Sequence, residues 1–135
     1  MNRPYLIEFP VIGDAKIGFI SVADYKQSIP FEVKRVFWTY ETPEHIVRGR
    51  HAHYQTQQVL LAVSGRILVT TELPTGEIEV FSLEKPHIGV YLPPNVWHTI
   101  QYSKGAVQMV MASTSFNEKD YIRDYSDFKA IWRKD

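Results

Sequence analysis

Arg48-Gly49-Arg50-His51-Ala52-His53 is the stretch on which the fold turns. Ala52 separates two imidazoles, and Gly49 punctuates the approach to them. On a β-strand, residues two apart project to the same face. His51 and His53 then stand side by side, with Cα atoms about 6–7 Å apart at the strand rise. If that face is the inside of a closed sheet, two imidazoles share one cavity.

Downstream, Gln58 follows five residues after His53, and Gly65 follows seven after Gln58. Pro93-Pro94-Asn95-Val96-Trp97-His98 brings a third histidine after a proline turn. HxH, a polar residue, a glycine, then a proline turn and a histidine resembles the paired motifs of the cupins. In metal cupins two His, a Glu and the third His surround a divalent ion. Here Gln58 holds the Glu place, and Asn95 holds that of the second motif's usual Gly. A neutral amide oxygen is a weaker ligand for a dication than a carboxylate and leaves its charge less compensated.

The flanking sequence reads as short strands cut by turns. Strands are expected at Ala15–Val22, Val33–Tyr40, Arg66–Glu72, Glu77–Leu83, Gly89–Leu92, Trp97–Tyr102 and Ala106–Ala112. His51–Val63 reads as one long strand or as two joined at a bend. Pro74-Thr75-Gly76 marks a hairpin turn. Turn signals every 8–12 residues point to an all-β sandwich or barrel. From Asn117 onward the spacing of Tyr121, Tyr125 and Phe128, and of Phe128, Ile131 and Trp132, becomes helical. One or two short C-terminal helices are expected, with Asn117 and Ser126 as N-caps.

Composition bounds the function. One domain is expected over residues 1–135, 44% of them apolar, which is enough for a core. Fifteen basic residues balance fifteen acidic ones, so no excess positive charge invites nucleic acid. An anionic ligand must be held by a few placed cations. Without cysteine there is no thiolate nucleophile and no disulfide framework. The longest apolar run, Val59–Val63, is far too short to span a membrane. Met1–Pro10 lacks the pattern of a signal peptide, and a cytoplasmic location is expected.

The wider neighbourhood resembles the nucleotide-sugar 3,4-ketoisomerases, the WxcM-like family. The resemblance rests on Arg48-Gly49-Arg50-His51-Ala52-His53 with Gln58, Ile29-Pro30-Phe31 with Lys34-Arg35-Val36-Phe37, Val90–Pro94 with Trp97-His98, and Asp120–Tyr125. It covers nearly the whole chain. It implies a jelly-roll homodimer, commonly with exchanged N-terminal strands. The implied reaction moves the keto group of dTDP-4-dehydro-6-deoxyglucose from carbon 4 to carbon 3 without a metal or other cofactor. The products feed dTDP-linked 3-amino-3,6-dideoxy sugars of bacterial surface glycans.

The same resemblance implies roles. His51 is the base at carbon 3, and His53 stabilises the enediolate or shuttles a hydroxyl proton. Arg48 is a candidate for the pyrophosphate, since guanidinium forks onto phosphate oxygens; a solvated turn charge is the competing reading. Arg35, Gln58, Tyr40, Tyr91, Trp97, His98 and Tyr102 are further substrate-binding candidates. The three tyrosines could equally be core, and His98 could equally cap the proline turn. His45 and His87 read as surface. Three alternatives stay open: a metal cupin (dioxygenase or sugar isomerase) with its ion at His51, His53, Gln58 and His98; a non-enzymatic sugar-binding cupin; and a dTDP-sugar 3,5-epimerase. The last needs a His–Asp pair and a Tyr, and no Asp is expected near the HxH motif.

Overall fold

The computed structural model describes residues 3–132. The expected unit over 1–135 thus includes five residues outside the described ones. Twelve strands form: β1 (Tyr5–Glu8), β2 (Val11–Asp14), β3 (Gly18–Ser21), β4 (Arg35–Thr39), β5 (Arg48–His53), β6 (Gln58–Ser64), β7 (Ile67–Glu72), β8 (Ile78–Leu83), β9 (Ile88–Leu92), β10 (Trp97–Tyr102), β11 (Val107–Ala112) and β12 (Tyr121–Ile122). A 3₁₀ turn (Glu118–Asp120) and helix α1 (Tyr125–Trp132) complete the C-terminal part. One sheet runs β1-β9-β6-β11-β4, the other β12-β5-β10-β7-β8, and β2-β3 form a separate hairpin. All named strand pairs are antiparallel. The fold is the jelly roll that the sequence announces.

Alternation builds the interior. Leu60, Ala62, Val90, Leu92 and Val110 from the first sheet meet Ile67, Val69, Phe81, Leu83, Ile100 and Tyr102 from the second. Each fully buried Leu or Ile contributes roughly 1.5–3 kcal/mol. β6 is buried on both sides, because Ile7, Phe9, Ile29 and Phe31 cover Val59 and Leu61 from outside. The unbroken run Val59–Ala62 has this cause, whereas Val63 at the end of the strand is exposed. A third cluster, Ala52, Ile122 and Phe128, packs α1 against the outer face of β5.

Two local expectations are corrected, one strand was not expected, and one open alternative is resolved. Ala15–Val22 is not one strand: Asp14 Oδ1 accepts from the amides of Lys16 and Ile17 and turns the chain back on itself, making the β2–β3 hairpin. β1, in a stretch read only for targeting signals, pairs with β9 through Tyr5↔Tyr91. His51–Val63 divides into β5 and β6, which belong to different sheets. Ser126 is not the cap of α1. Asp124 is, its Oδ1 accepting from Ser126 N at 2.7 Å and from Asp127 N, so Ser126 lies within the first turn. Asn117 does cap its turn, accepting from Lys119 N. No helix among the described residues is long and apolar enough to cross a membrane.

Candidate active site

β5 carries an irregularity that shapes the site. Gly49 and Arg50 both have positive φ, 84° and 58°. The pairing with β10 shifts there, so His51 faces His98 while Gly49 faces Thr99 and Arg48 faces Ile100. One extra residue in the strand is a β-bulge. Regular alternation would send Arg48 and His51 to opposite faces; the bulge returns both to the inside. The two line one cavity of about 90 Å³ with Gln58, His98, Tyr102, Gln108, Thr39 and Phe37. Asn95 takes φ 61°, the conformation that the usual glycine adopts freely, and asparagine tolerates it. Its amide donates to the His53 carbonyl at 2.7 Å, tying the proline turn to the HxH strand.

The three imidazoles meet edge to face or offset. Ring centroids are 5.0 Å apart for His51–His53, 4.6 Å for His51–His98 and 6.3 Å for His53–His98. Among the described residues no three His, Cys, Asp or Glu side chains are arranged to hold a metal ion. His51 Nδ1 lies 3.0 Å from the Gly49 carbonyl, which assigns it the proton and leaves Nε2 bare. Burial drives the pKa of all three below the ordinary histidine value. For His53 burial and then the neighbouring His51 push it down to about 4, against the pull of Asp120. Burial thus favours the neutral form of all three rings at pH 7.

Asp120 is the feature the sequence concealed. Its Oδ2 lies 3.3 Å from His53 Nδ1, although 67 residues separate them. The same carboxylate accepts from Gln55 N at 2.8 Å, from Thr56 N, and from the Thr56 hydroxyl. Burial would raise its pKa, but these donors and His53 together hold it below the ordinary value. Next to it, the Tyr121 ring packs at 5.0 Å from His51 and 4.4 Å from His53. The expectation that no Asp neighbours the HxH pair is therefore wrong: β12 pairs with β5 through Tyr121↔His53 and delivers one. The only sequence sign was the stretch Asp120–Tyr125 itself, whose partner strand could not be read.

The remaining candidates divide. Arg35 sits on the inward parity of β4, its guanidinium over the Phe37 and Phe116 rings at 5.5 and 5.7 Å, and its charge lowers the pKa of His53. Its buried Nε has no partner. Neither Arg35 nor Arg48 has a carboxylate at ion-pair distance among the described residues. Tyr102 points inward, donating to Gln108 Oε1. Three candidates lie elsewhere, for reasons of parity. Trp97 precedes inward His98 and so faces out, against Tyr125 and Phe128. Tyr40 shares the outward side of Trp38 and is 60% exposed. Tyr91 packs on the outer side of the first sheet, stacked on Tyr5 and donating to Gln57 Oε1. Gln108 and Thr39, both lining the cavity, went unnoticed as polar residues inside apolar strands. His45 is exposed, as expected, while His87 is partly covered.

Known proteins resemble this chain in sequence and fold. The chain is 37% identical, over 92% of its length and 88% of the relative's, to TDP-4-oxo-6-deoxy-alpha-D-glucose-3,4-oxoisomerase of Aneurinibacillus thermoaerophilus. It superposes with a TM-score of 0.92, at 33% identity, on QdtA, a sugar 3,4-ketoisomerase of Thermoanaerobacterium thermosaccharolyticum in complex with TDP, covering 97% of this chain and 95% of that one. A mutant of the same enzyme is known in complex with TDP-4-keto-6-deoxyglucose. WlaRB, a TDP-quinovose 3,4-ketoisomerase of Campylobacter jejuni, gives a TM-score of 0.90 at 30% identity, over 96% and 99% of the two chains. The family described as WxcM-like, C-terminal (FdtA) matches residues 2–133, and with the bulged HxH strand, the third inward histidine and these relatives, the chain belongs to that family.

Proposed function

We infer that this chain is a TDP-sugar 3,4-ketoisomerase that moves the keto group of TDP-4-keto-6-deoxyglucose from carbon 4 to carbon 3. The observation that carries this reading is a neutral His51, its Nδ1 committed to the Gly49 carbonyl, with Nε2 left for a substrate at a polar cavity. A keto shift needs a base that takes the proton from carbon 3, beside the carbonyl. Oxygen 4 gains a proton as the enediol forms. The hydroxyl at carbon 3 then releases its proton to become the new carbonyl, and carbon 4 receives a proton. No atom is gained or lost. A ring that accepts near neutral pH and later donates fits both halves.

His51 is the base at carbon 3 in this account, and His53 serves the oxygens. Arg48 and Arg35, free of carboxylates, suit the pyrophosphate, with Gln58, His98 and Tyr102 binding the sugar. Gln58, standing where metal cupins carry a carboxylate, supports acid–base work by imidazoles alone. Turnover of TDP-4-keto-6-deoxyglucose after exhaustive chelation tests this. Undiminished conversion to the 3-keto sugar is expected; loss restored by a divalent metal would contradict it.

A homodimer with exchanged N-terminal hairpins fits the surface. β2–β3 is exposed throughout, with Ile12, Ile17, Phe19 and Ile20 between 56% and 82% exposed. β4 is a free sheet edge whose outer face shows Val36 and Trp38. A second copy's hairpin is the occupant we assign to that edge. A cytoplasmic location suits a nucleotide-sugar substrate.

A second reading, the TDP-sugar 3,5-epimerase, draws on the His53–Asp120 pair and Tyr121. It predicts exchange of the carbon 5 proton with the carbonyl unmoved, which the ketoisomerase reading excludes.

A further inference from the structure

The loop leaving β5 is wrapped around Asp120. The Asp120 carbonyl accepts from Tyr54 N at 2.9 Å, and its carboxylate takes the amides of Gln55 and Thr56 and the Thr56 hydroxyl. Thr56 Oγ1 is held in turn by Thr114 Oγ1 at 2.7 Å. Those contacts fix the carboxylate in place and would suffice to hold a loop. They do not account for Oδ2 standing 3.3 Å from Nδ1 of an imidazole only 3% exposed. Nor do they account for the two ring nitrogens of His53, both buried and without a hydrogen bond, Nδ1 having the Asp120 carboxylate beside it and Nε2 having nothing. A carboxylate oxygen can only accept, so the charge beside Nδ1 favours the ring proton there. Nε2 is thereby left as a bare acceptor in a buried setting that offers it nothing.

We propose that Asp120 is a positioning residue that sets the tautomer of His53, presenting a bare Nε2 that accepts the substrate's hydroxyl proton, with the carboxylate stabilising the imidazolium that forms. This rests on the ketoisomerase reading and divides the work between the two histidines. His51, oriented by a neutral carbonyl, takes the carbon-bound proton. His53, oriented by a charge, takes the hydroxyl proton from the oxygen at carbon 3 and passes it to the oxygen at carbon 4, so that both rings end the cycle as they began it. Pairing the charge with the imidazole that handles oxygen protons fits the chemistry, because an anion beside a ring favours its protonated form.

The test uses the whole protein labelled with ¹⁵N-histidine. Long-range proton–nitrogen correlation at pH 7 is expected to find the wild-type His53 protonated on Nδ1 and bare on Nε2. The opposite tautomer would overturn the proposal without any variant. Asp120→Asn, whose amide can donate to Nδ1, is expected to move the proton to Nε2. It should lower kcat on the order of 10²–10⁴-fold, the upper end being the scale lost when an orienting carboxylate beside a catalytic imidazole becomes an amide, with KM nearly unchanged. Thr56→Val removes a loop contact but leaves the carboxylate facing His53. It should keep the wild-type tautomer and lose far less kcat. A loss in Thr56→Val equal to that in Asp120→Asn, or an unmoved tautomer in Asp120→Asn, would reduce Asp120 to a loop anchor. Failure of the wild-type protein to convert TDP-4-keto-6-deoxyglucose would strike the ketoisomerase reading instead, and leaves the tautomer measurement standing.

Discussion

At the scale of single residues, the site is built on neutral imidazoles. His51→Asn keeps polarity and volume but cannot take a proton near pH 7. Its kcat should fall roughly 10²–10⁴-fold, the usual contribution of a general base, with a nearly unchanged melting temperature. A variant that turns over at the wild-type rate would remove His51 from its role. The same histidines predict an acid-side loss of stability. Their folded pKa values lie below the unfolded value of 6.5, His53 at about 4, so between pH 6.5 and 4 the unfolded chain binds more protons than the folded one. Stability therefore falls as pH drops through that window. His53 alone accounts for on the order of 3 kcal/mol. Urea unfolding at pH 7 and pH 4.5 measures it; equal midpoints would show that the three rings are not held neutral.

At the scale of elements, the bulge in β5 and the two-residue strand β12 decide which side chains meet. Gly49 at φ 84° packs so closely on β10 that a Cβ would lie 3.0 Å from the His98 carbonyl oxygen. Gly49→Ala should cost roughly 1–3 kcal/mol, seen as a lower melting temperature, and should disturb His51, whose Nδ1 bonds to the carbonyl of this residue. An alanine variant as stable and as active as wild type would mean that the bulge is not needed. The HxH face was legible because alternation on one strand is local. His98 was legible as well, from the proline turn that precedes it. Trp97, Tyr40 and Tyr91 were misplaced because aromatic residues on strands near a motif carry no mark of which face they occupy. Only the register, Trp97↔Glu72 and Tyr5↔Tyr91 for instance, resolves that. Asp120 was out of reach for a stronger reason. Its partner lies 67 residues away, and β12 has two residues, too few to show any period.

At the scale of the whole molecule, apolar surface remains uncovered on the β2–β3 hairpin, and on the outer face of β4 at Val36 and Trp38. The β2–β3 hairpin buries none of its eight residues, yet Ile12 and Ile20 face each other across it. Exposed apolar surface of this kind marks an association site. Sedimentation of the wild-type protein should give a dimer, and Ile12→Asp with Ile20→Asp should give a monomer. A monomeric wild type would contradict the exchange of hairpins, and a dimeric double variant would move the contact elsewhere. Turn spacing made an all-β sandwich or barrel legible, because each strand must end where the sheets end, and the resemblance of the HxH and proline-turn motifs narrowed it to the jelly roll. The β2–β3 hairpin was not legible, because Asp14, which bounds the expected strand Ala15–Val22, makes the turn by a side chain that accepts from the amides of Lys16 and Ile17.

The central claim is a proton-mediated keto shift between carbons 3 and 4. Incubating the protein with TDP-4-keto-6-deoxyglucose in deuterated water, and following the sugar by proton NMR, tests it directly. The account predicts a 3-keto product carrying deuterium at carbon 4, with the carbon 5 proton retained. An unmoved carbonyl, or no deuterium at carbons 3 and 4, would contradict it.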